Sequence, residues 1–193
     1  MSKLLDKVQF MVNDKDFDLV NRFRSGDESA FNDIVREYQK IIYWHALRMT
    51  GNHMDADEVT QQVLIVIYQK ISSFNFKSSF ATWIYTIVHT RSLNQIRKNK
   101  LKNFFSFDDL SEDKLLSSNN IFESFEDKEK IEKLNKVLEK LPIKQKEVFI
   151  MRIFDQLTYE EISKITGKSV GGLKSNYFHA LKKIMEAGID KYD

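Results

Sequence analysis

The sequence predicts an all-α protein made of two small helical domains joined by a flexible linker. Helix breakers are rare among its 193 residues, with one Pro and six Gly. Apolar residues recur at helical spacing on both sides of a central segment of mixed periodicity. The hydrophobic content of 42%, with 15 Phe, is enough for two small cores. We predict a first domain over residues 1–99, a linker over 100–126 and a second domain over 127–193.

The first domain contains three predicted helices. The first carries an apolar stripe from Phe31 to Ile42. The second follows an interruption at Gly51 and takes Asp55 as its N-cap, because Glu58 three residues later would complete a capping box. A loop over 72–79 leads to a third helix from about residue 79 to residue 98.

The linker separates two regions of opposite charge. Between Arg91 and Lys102 the chain has five basic residues and no acidic one, whereas residues 108–129 are rich in Asp and Glu. A linker of this kind is expected to leave the relative placement of the two domains open. The acidic run has three possible interpretations. It is a solvated linker, a mimic of nucleic acid, or a segment that folds back on the basic residues 91–102 and masks them.

The second domain ends in a predicted helix-turn-helix. Pro142 fits the first turn of its second helix. Thr158 and Glu161 form a capping box, Gly167 makes a tight turn, and Ser169 caps the last helix. Such a last helix enters the major groove of DNA. The alternative is a plain helical hairpin with a solvated lysine face. That alternative leaves two glycines in a first helical turn unexplained, although each costs about 1 kcal/mol against Ala.

Composition and motifs argue against several other classes. Cys is absent, which excludes disulfides and thiolate metal sites and favours the cytoplasm. No signal peptide is visible, and no run approaches the roughly 20 apolar residues of a membrane span. The acidic residues and His53 near the second helix lack the spaced His pair of a zinc protease. No phosphate loop, nucleophile elbow or catalytic Cys is present. We expect a protein that is not an enzyme, with no catalytic residue, cofactor or metal ion.

Four stretches of the chain resemble one known family. They are SGDESAFNDIVREYQ, RMTGNHMDADEVTQQV, FATWIYTIVHTRSLNQIRK and LEKLPIKQKEVFIMRIFDQLTYEEISKITGKSVGGLKSNYFHALKKI. In this order and spacing they resemble the extracytoplasmic-function (ECF) sigma factors, which direct RNA polymerase to promoters. The resemblance implies that the first domain is sigma region 2, which binds core polymerase and melts the −10 element. It implies that the second is sigma region 4, whose helix-turn-helix reads the −35 element.

The resemblance also implies roles for individual residues. The face that binds core polymerase would comprise Asp57, Glu58, Gln61 and Gln62. The −10 contacts would come from Phe76, Lys77, Trp83, His89, Thr90, Asn94, Arg97 and Lys98. The −35 contacts would come from Ser169, Gly171, Lys174, Ser175, Phe178, His179 and Lys182.

The −10 assignment agrees with the physics of melting. An unstacked base costs a few kcal/mol to extrude, and stacking on an aromatic ring returns about 1–3 kcal/mol. Phe74 is expected to belong to the core instead, and for Trp83 both core packing and DNA contact remain open. Thr90, Asn176 and His179 depart from the residues that many relatives carry, which leaves the promoter sequence undetermined.

Two other functions are compatible with parts of the sequence. One is a helix-turn-helix regulator with a helical sensor or dimerisation domain, which would bind palindromic DNA unaided. The other is a helical adaptor protein. The aromatic and basic segment from Phe74 to Lys102 favours the sigma factor, because a sensor domain has no need of it. The expected partners are RNA polymerase core, promoter DNA and an anti-sigma factor, without a stable homo-oligomer.

Overall fold

The computed structural model describes residues 14–105 and 125–189, so most of the acidic run lies outside the described residues. Within these ranges the chain is helical and contains no strand, which confirms the predicted all-α class. The helices are α1 (Asp14–Arg24), α2 (Ser29–Thr50), α3 (His53–Lys70), α4 (Phe80–Phe105), α5 (Phe125–Lys140), α6 (Ile143–Ile153), α7 (Tyr159–Thr166) and α8 (Val170–Glu186).

Helix α1 is absent from the sequence-based prediction. It packs on α2 and buries Leu19 and Val20 in the core of the first domain. The Tyr38 hydroxyl of α2 donates a 2.7 Å hydrogen bond to Oδ1 of Asp16, which fixes the helix pair. The mixed polar and apolar composition of the N-terminal residues concealed this amphipathic helix.

The predicted N-cap of α3 is wrong. The cap is Asn52, whose side-chain oxygen accepts a 2.8 Å hydrogen bond from the backbone N–H of Asp55. Gly51 takes a left-handed φ of 88° and ends α2, so the chain enters the next helix one residue later. The Asp55 carboxylate instead accepts hydrogen bonds from Gln95 and Asn99, both at 2.6 Å, and thereby ties α3 to α4.

Helix α4 is longer than the sequence indicates. It continues past residue 99, the predicted end of the first domain, to Phe105. A short 3₁₀ helix, Ile71–Ser73, and an aromatic loop precede it. No helix among the described residues has the length and apolar character needed to cross a membrane.

The predicted helix-turn-helix is confirmed. Thr158 and Glu161 form both hydrogen bonds of a capping box at the start of α7. Gly167 takes a left-handed φ of 71° and makes the turn. Ser169 then caps α8, since its hydroxyl accepts a 3.2 Å hydrogen bond from the N–H of Gly172.

The two domains pack against each other. Val148, Met151, Leu157 and Ile162 of the second domain belong to the same buried cluster as the core of α2, α3 and α4. A separate cluster between α5, α6 and α8 holds the second domain together. The sequence leaves the domain placement open, whereas the structure has one docked arrangement. The reason is that α6 and α7 each have an apolar face that the second domain does not cover by itself.

Candidate nucleic-acid interface

The outer face of α8 is a continuous exposed surface that is mostly polar. Every residue predicted to contact the −35 element is exposed, including Phe178 at 64%. Their spacing of three or four residues places them on one side of the helix, opposite the buried Leu173, Ala180 and Ile184. A helix with a capped N-terminus and one free face of this kind has the form that enters a major groove.

The two glycines of α8 differ in their surroundings. A Cβ on Gly172 would lie 3.2 Å from the Ser169 hydroxyl, so this glycine makes room for the helix cap. A Cβ on Gly171 would meet nothing within 4 Å. Packing therefore explains Gly172, whereas Gly171 leaves the backbone open to the approach of a large ligand.

Asn176 does not belong to this exposed face. Its side-chain amide donates a 2.7 Å hydrogen bond to the carbonyl oxygen of Gly172, one turn earlier in α8. Lys174 lies within the same helical turn but belongs to the exposed face. Its ammonium is 5.6 Å from the centre of the Tyr159 ring. The cation–π contact holds Lys174 near the start of the face.

A second polar ridge runs along α4. Thr90, Asn94, Arg97 and Lys98 are exposed and recur at helical spacing. Arg97 donates a 3.2 Å hydrogen bond to the side-chain oxygen of Asn94, so the two side chains are oriented together. Trp83 lies at the N-terminal end of this ridge.

Aromatic residues form the loop beside this ridge. Phe74 is 4% exposed and belongs to the core, as predicted. Trp83 is half-buried and stacks on Phe80 with ring centres 5.4 Å apart. Phe76 takes an uncommon left-handed φ of 56°, which directs its half-buried ring across the Phe74 ring at 4.9 Å. Lys77, next in the chain, is exposed.

Arg24 of α1 supports this loop. Its guanidinium lies 5.1 Å from the centre of the Phe76 ring and donates a hydrogen bond to the carbonyl oxygen of Phe74. The ring of Phe17, also on α1, lies 5.0 Å from Phe76. Neither Arg24 nor Phe17 was among the predicted contacts, because α1 was not predicted from the sequence.

His89 is the exception among the predicted −10 residues, because it is buried. It is 4% exposed and faces the second domain, where its Nε2 lies 3.5 Å from Oε2 of Glu147. Lys168 pairs with the same carboxylate and balances its charge. Burial, with His45 and Lys168 nearby, lowers the pKa of His89 to about 3. His89 is therefore neutral and closed to ligands in this arrangement.

The predicted polymerase face lies on the exposed side of α3. Asp57 and Gln61 are exposed, while Glu58 and Gln62 are partly covered. Glu58 accepts a 2.7 Å hydrogen bond from the ammonium of Lys98, and this pairing holds the pKa of Glu58 below its ordinary value. The polymerase face and the α4 ridge therefore meet at this ion pair.

Two apolar residues extend this face. Ile65 and Tyr68 follow Gln61 by four and seven positions and are 56% and 46% exposed. Neither was among the predicted contacts. Their position on the polar side of an amphipathic helix is the signal in the sequence that could have indicated them. Among the described residues, no group of three or more His, Asp or Glu side chains could hold a metal ion.

Comparison with known proteins places both domains in one family. The Sigma-70 region 2 family matches residues 34–102, and the Sigma-70, region 4 family matches residues 131–184. The ECF RNA polymerase sigma factor SigW of Bacillus subtilis is 28% identical over 163 residues, covering 81% of this chain and 87% of that protein. The ECF RNA polymerase sigma-E factor of Escherichia coli is 29% identical over 173 residues, covering 86% and 90%.

A solved structure shares the fold. The sigma factor RpoE of Bartonella quintana, crystallised with the anti-sigma factor NepR, superposes with a TM-score of 0.67 at 19% identity. The match covers 83% of this chain and 98% of that one. The order of the two matched regions and the helix-turn-helix geometry agree with these comparisons. The chain belongs to the sigma-70 family, as a sigma factor of the extracytoplasmic-function group.

Proposed function

We propose that this sigma factor binds core RNA polymerase through the α3 face and reads a promoter through the α4 ridge and the α8 face. The observation that carries the proposal is the exposure of these three surfaces on two domains of one chain. A reader of two separated DNA elements needs one such surface on each domain. The proposed limits remain residues 1–99 for region 2, 100–126 for the linker and 127–193 for region 4.

The α8 face supports contact with the −35 element. Lys174 and Ser175 offer hydrogen-bond donors to base edges, and Phe178 offers an apolar contact to a thymine methyl group. Lys182, farther along the helix, is placed to contact phosphate. Gly171 lets the helix backbone approach the DNA, because nothing in the protein occupies the space beside it.

The loop from Phe74 to Ser79 supports contact with the −10 element. Its partly exposed aromatic rings can stack on an extruded base, and Lys77 can hold the adjacent phosphate. Arg24 and the other aromatic rings fix the position of Phe76, so the stacking surface is formed before DNA arrives. Thr90, Asn94 and Arg97 continue the contact along α4.

The α3 face combines charge with apolar area. Asp57 and Gln61 provide polar contacts, and Ile65 and Tyr68 provide apolar surface that a partner would bury. Interfaces usually take most of their affinity from a few such apolar or aromatic residues within a polar rim. We place core polymerase on this face.

An anti-sigma factor is the second proposed protein partner. The related RpoE of Bartonella quintana was crystallised with one. For this chain we propose a partner that covers the Asp57–Gln62 face and part of region 4, so that polymerase is excluded. We propose that the protein acts in the cytoplasm as a binding factor without a reaction of its own.

The dependence of DNA binding on polymerase tests this proposal. Footprinting would compare a promoter fragment with the protein alone, with core polymerase alone, and with both. Protection of −10 and −35 segments only when both are present supports the sigma factor. Protection of a palindromic site by the protein alone would instead support the helix-turn-helix regulator.

A further inference from the structure

A cleft of about 560 Å³ lies where the turn between α2 and α3, the end of α4 and the start of α6 meet. Small-molecule sites commonly have volumes of about 300–1,000 Å³, so the cleft is large enough for such a ligand. Its lining residues are different from those assigned to polymerase or promoter DNA. A ligand in this cleft would therefore be a different one from the partners of the proposed function.

Lys146 of α6 lies in the wall of the cleft. It is 8% exposed and forms no hydrogen bond or ion pair with any residue in the ranges 14–105 and 125–189. Burial lowers the pKa of Lys146 to about 8, although Glu139 opposes this effect. A buried ammonium is costly unless a group of opposite charge pairs with it. Within the described structure, Lys146 therefore lacks the anionic partner that a buried ammonium normally has.

The start of α6 adds a second attraction for an anion. Leu141 and Ile143, on either side of the N-cap residue Pro142, both line the cleft. Pro142 provides no side-chain cap, and the first turn of α6 has no acidic residue. Backbone N–H groups at a helix N-terminus carry partial positive charge and bind anions such as phosphate. Lys146 and this N-terminus thus present positive charge to the same cleft.

The α4 side of the cleft supplies further cations. Lys100 and Lys102 are exposed and line the cleft, together with two carboxylates, Asp55 and Glu139. The Asp55 carboxylate already accepts hydrogen bonds from three side-chain amides. Three ammonium groups and a helix N-terminus therefore outweigh two carboxylates in the lining, which favours a ligand of negative charge.

Apolar side chains complete the lining. Met49 and Ile96 contact the cleft beside Leu141, and Met49 is 1% exposed. An inorganic anion would use the charges alone, whereas an organic phosphate would also cover this apolar surface. Duplex DNA can reach exposed lysines, but only a molecule that fits inside the cleft can reach Lys146. The combination indicates a small organic phosphate.

We propose that this cleft binds an organic phosphate of the size of a mononucleotide, with its phosphate group between the Lys146 ammonium and the N-terminus of α6. The cationic side chains of α4 face the same group, and the apolar residues contact the rest of the ligand. The site does not depend on the proposed function, because the ligand would bind the chain in the absence of polymerase and DNA.

Calorimetric titration of the full-length protein with adenosine monophosphate tests this site. Adenosine, which lacks the phosphate, and inorganic phosphate, which lacks the apolar part, are the matched probes. We expect one nucleotide per chain, with a dissociation constant about tenfold or more below that of either matched probe. A dissociation constant for the nucleotide above about 10 mM would overturn the proposal. So would an equal affinity for the nucleotide and for either matched probe.

One variant removes the central cation of the site. Lys146→Met keeps a side chain of similar shape and should weaken nucleotide binding by about tenfold or more, because a charge-assisted hydrogen bond is lost. Lys144→Met is the control, since Lys144 is exposed and lies on α6 outside the cleft. The control should change the affinity by less than about twofold, because solvent and salt screen an exposed charge. Equal losses in both variants would indicate general attraction to lysines and would overturn the site.

Proton uptake separates direct contact with Lys146 from a structural role. Bound phosphate should hold the proton on Lys146, so the parent at pH 8 should take up about half a proton per nucleotide bound. Titrations in two buffers of different ionisation enthalpy measure this uptake, which Lys146→Met should abolish. Binding without uptake in the parent would overturn contact between the phosphate and Lys146.

A second variant keeps the test decisive if Lys146→Met does not fold, which urea unfolding would show. Lys100→Glu reverses an exposed charge on the α4 side of the cleft and should weaken nucleotide binding by about fivefold or more. Lys140→Glu makes the same change at an exposed position outside the cleft and should have little effect. If both variants bind the nucleotide with the affinity of the parent, the cleft is not its site.

Discussion

His45 Nδ1 and Asp155 Oδ2 lie 2.6 Å apart although 110 positions separate the two residues in the sequence. Their hydrogen bond connects region 2 to region 4 in a site that excludes solvent. A buried polar pair contributes little net stability, but removal of one partner is costly because the other stays buried and unpaired. Such a pair is therefore expected to select one docking geometry among many apolar ones.

The neighbouring His89 predicts a pH dependence of stability. Its pKa is about 3 in the docked form and 6.5 in an unfolded chain, so only the unfolded or undocked form takes up a proton as pH falls below about 6.5. The His89 contribution to stability is complete above that pH. It declines by about 1.4 kcal/mol per pH unit as the solution becomes more acidic.

A matched variant isolates this contribution from other titrating groups. Urea unfolding of the parent and of His89→Gln would be measured at pH 8 and pH 5. The free energy of unfolding of the parent, relative to that of the variant, should fall by about 2 kcal/mol between these pH values. If this relative free energy of unfolding rises between pH 8 and pH 5, Glu147 attracts a proton to His89 in the folded protein. The predicted direction of the pH dependence would then be wrong.

The α8 face predicts two kinds of loss in DNA binding. Lys174→Ala and Ser175→Ala should each reduce discrimination among −35 sequences by about 1–3 kcal/mol, since they remove donors to base edges. Lys182→Ala should weaken binding to all sequences alike and lower the salt slope by about 0.9. Lys164→Ala, off this face, is the control. If all four variants have the same sequence preference and the same salt dependence, α8 does not enter the major groove.

Substitution of the two glycines of α8 distinguishes an effect on stability from an effect on DNA binding. Gly171→Ala should raise the free energy of unfolding by up to about 1 kcal/mol, because Ala favours a helix and the new Cβ meets nothing. Gly172→Ala should gain less, because its Cβ lies 3.2 Å from the Ser169 cap. If Gly171 serves close approach to DNA, its variant should bind the −35 element more weakly despite greater stability. Thermal unfolding and promoter titration measure the two effects, and unimpaired binding would assign Gly171 no role at the DNA.

The α3 face predicts a loss of polymerase affinity on charge reversal. Asp57→Lys should weaken binding to core polymerase. Ile65→Ala, made as a separate variant, should also weaken binding, because it removes exposed apolar area. Glu186→Lys, at the exposed end of α8, carries the same charge change away from this face. Affinity would be measured by titration of labelled protein with core polymerase. If all three variants bind core polymerase with the affinity of the parent, polymerase binds a different surface of the protein.

Local structure could be predicted where the sequence carries a strong capping signal. The capping box of Thr158 and Glu161 and the cap at Ser169 could be predicted because each depends on residues within one helical turn. The N-cap at Asn52 was missed because Asp55 offers a similar local pattern, and only Gly51 decides between them. The pattern of Asp55 and Glu58 alone could not distinguish the two positions.

The domain interface could not be predicted from the sequence. The family resemblance assigned His89 to the −10 contacts, yet its side chain faces Glu147. No property of α4 alone reveals the helix that covers it. The polymerase, −10 and −35 contacts remain predictions, supported by the exposure of most of the residues assigned to them.

Transcription on a promoter library shows whether this chain directs RNA polymerase to promoters. Core polymerase would be assayed with and without the protein on templates whose −10 and −35 segments are randomised, and the transcripts would be sequenced. We predict transcripts that depend on the protein and share one preferred sequence in each segment, with the −35 preference altered by Lys174→Ala. Transcription that is the same with and without the protein would show that the protein does not direct core polymerase to promoters.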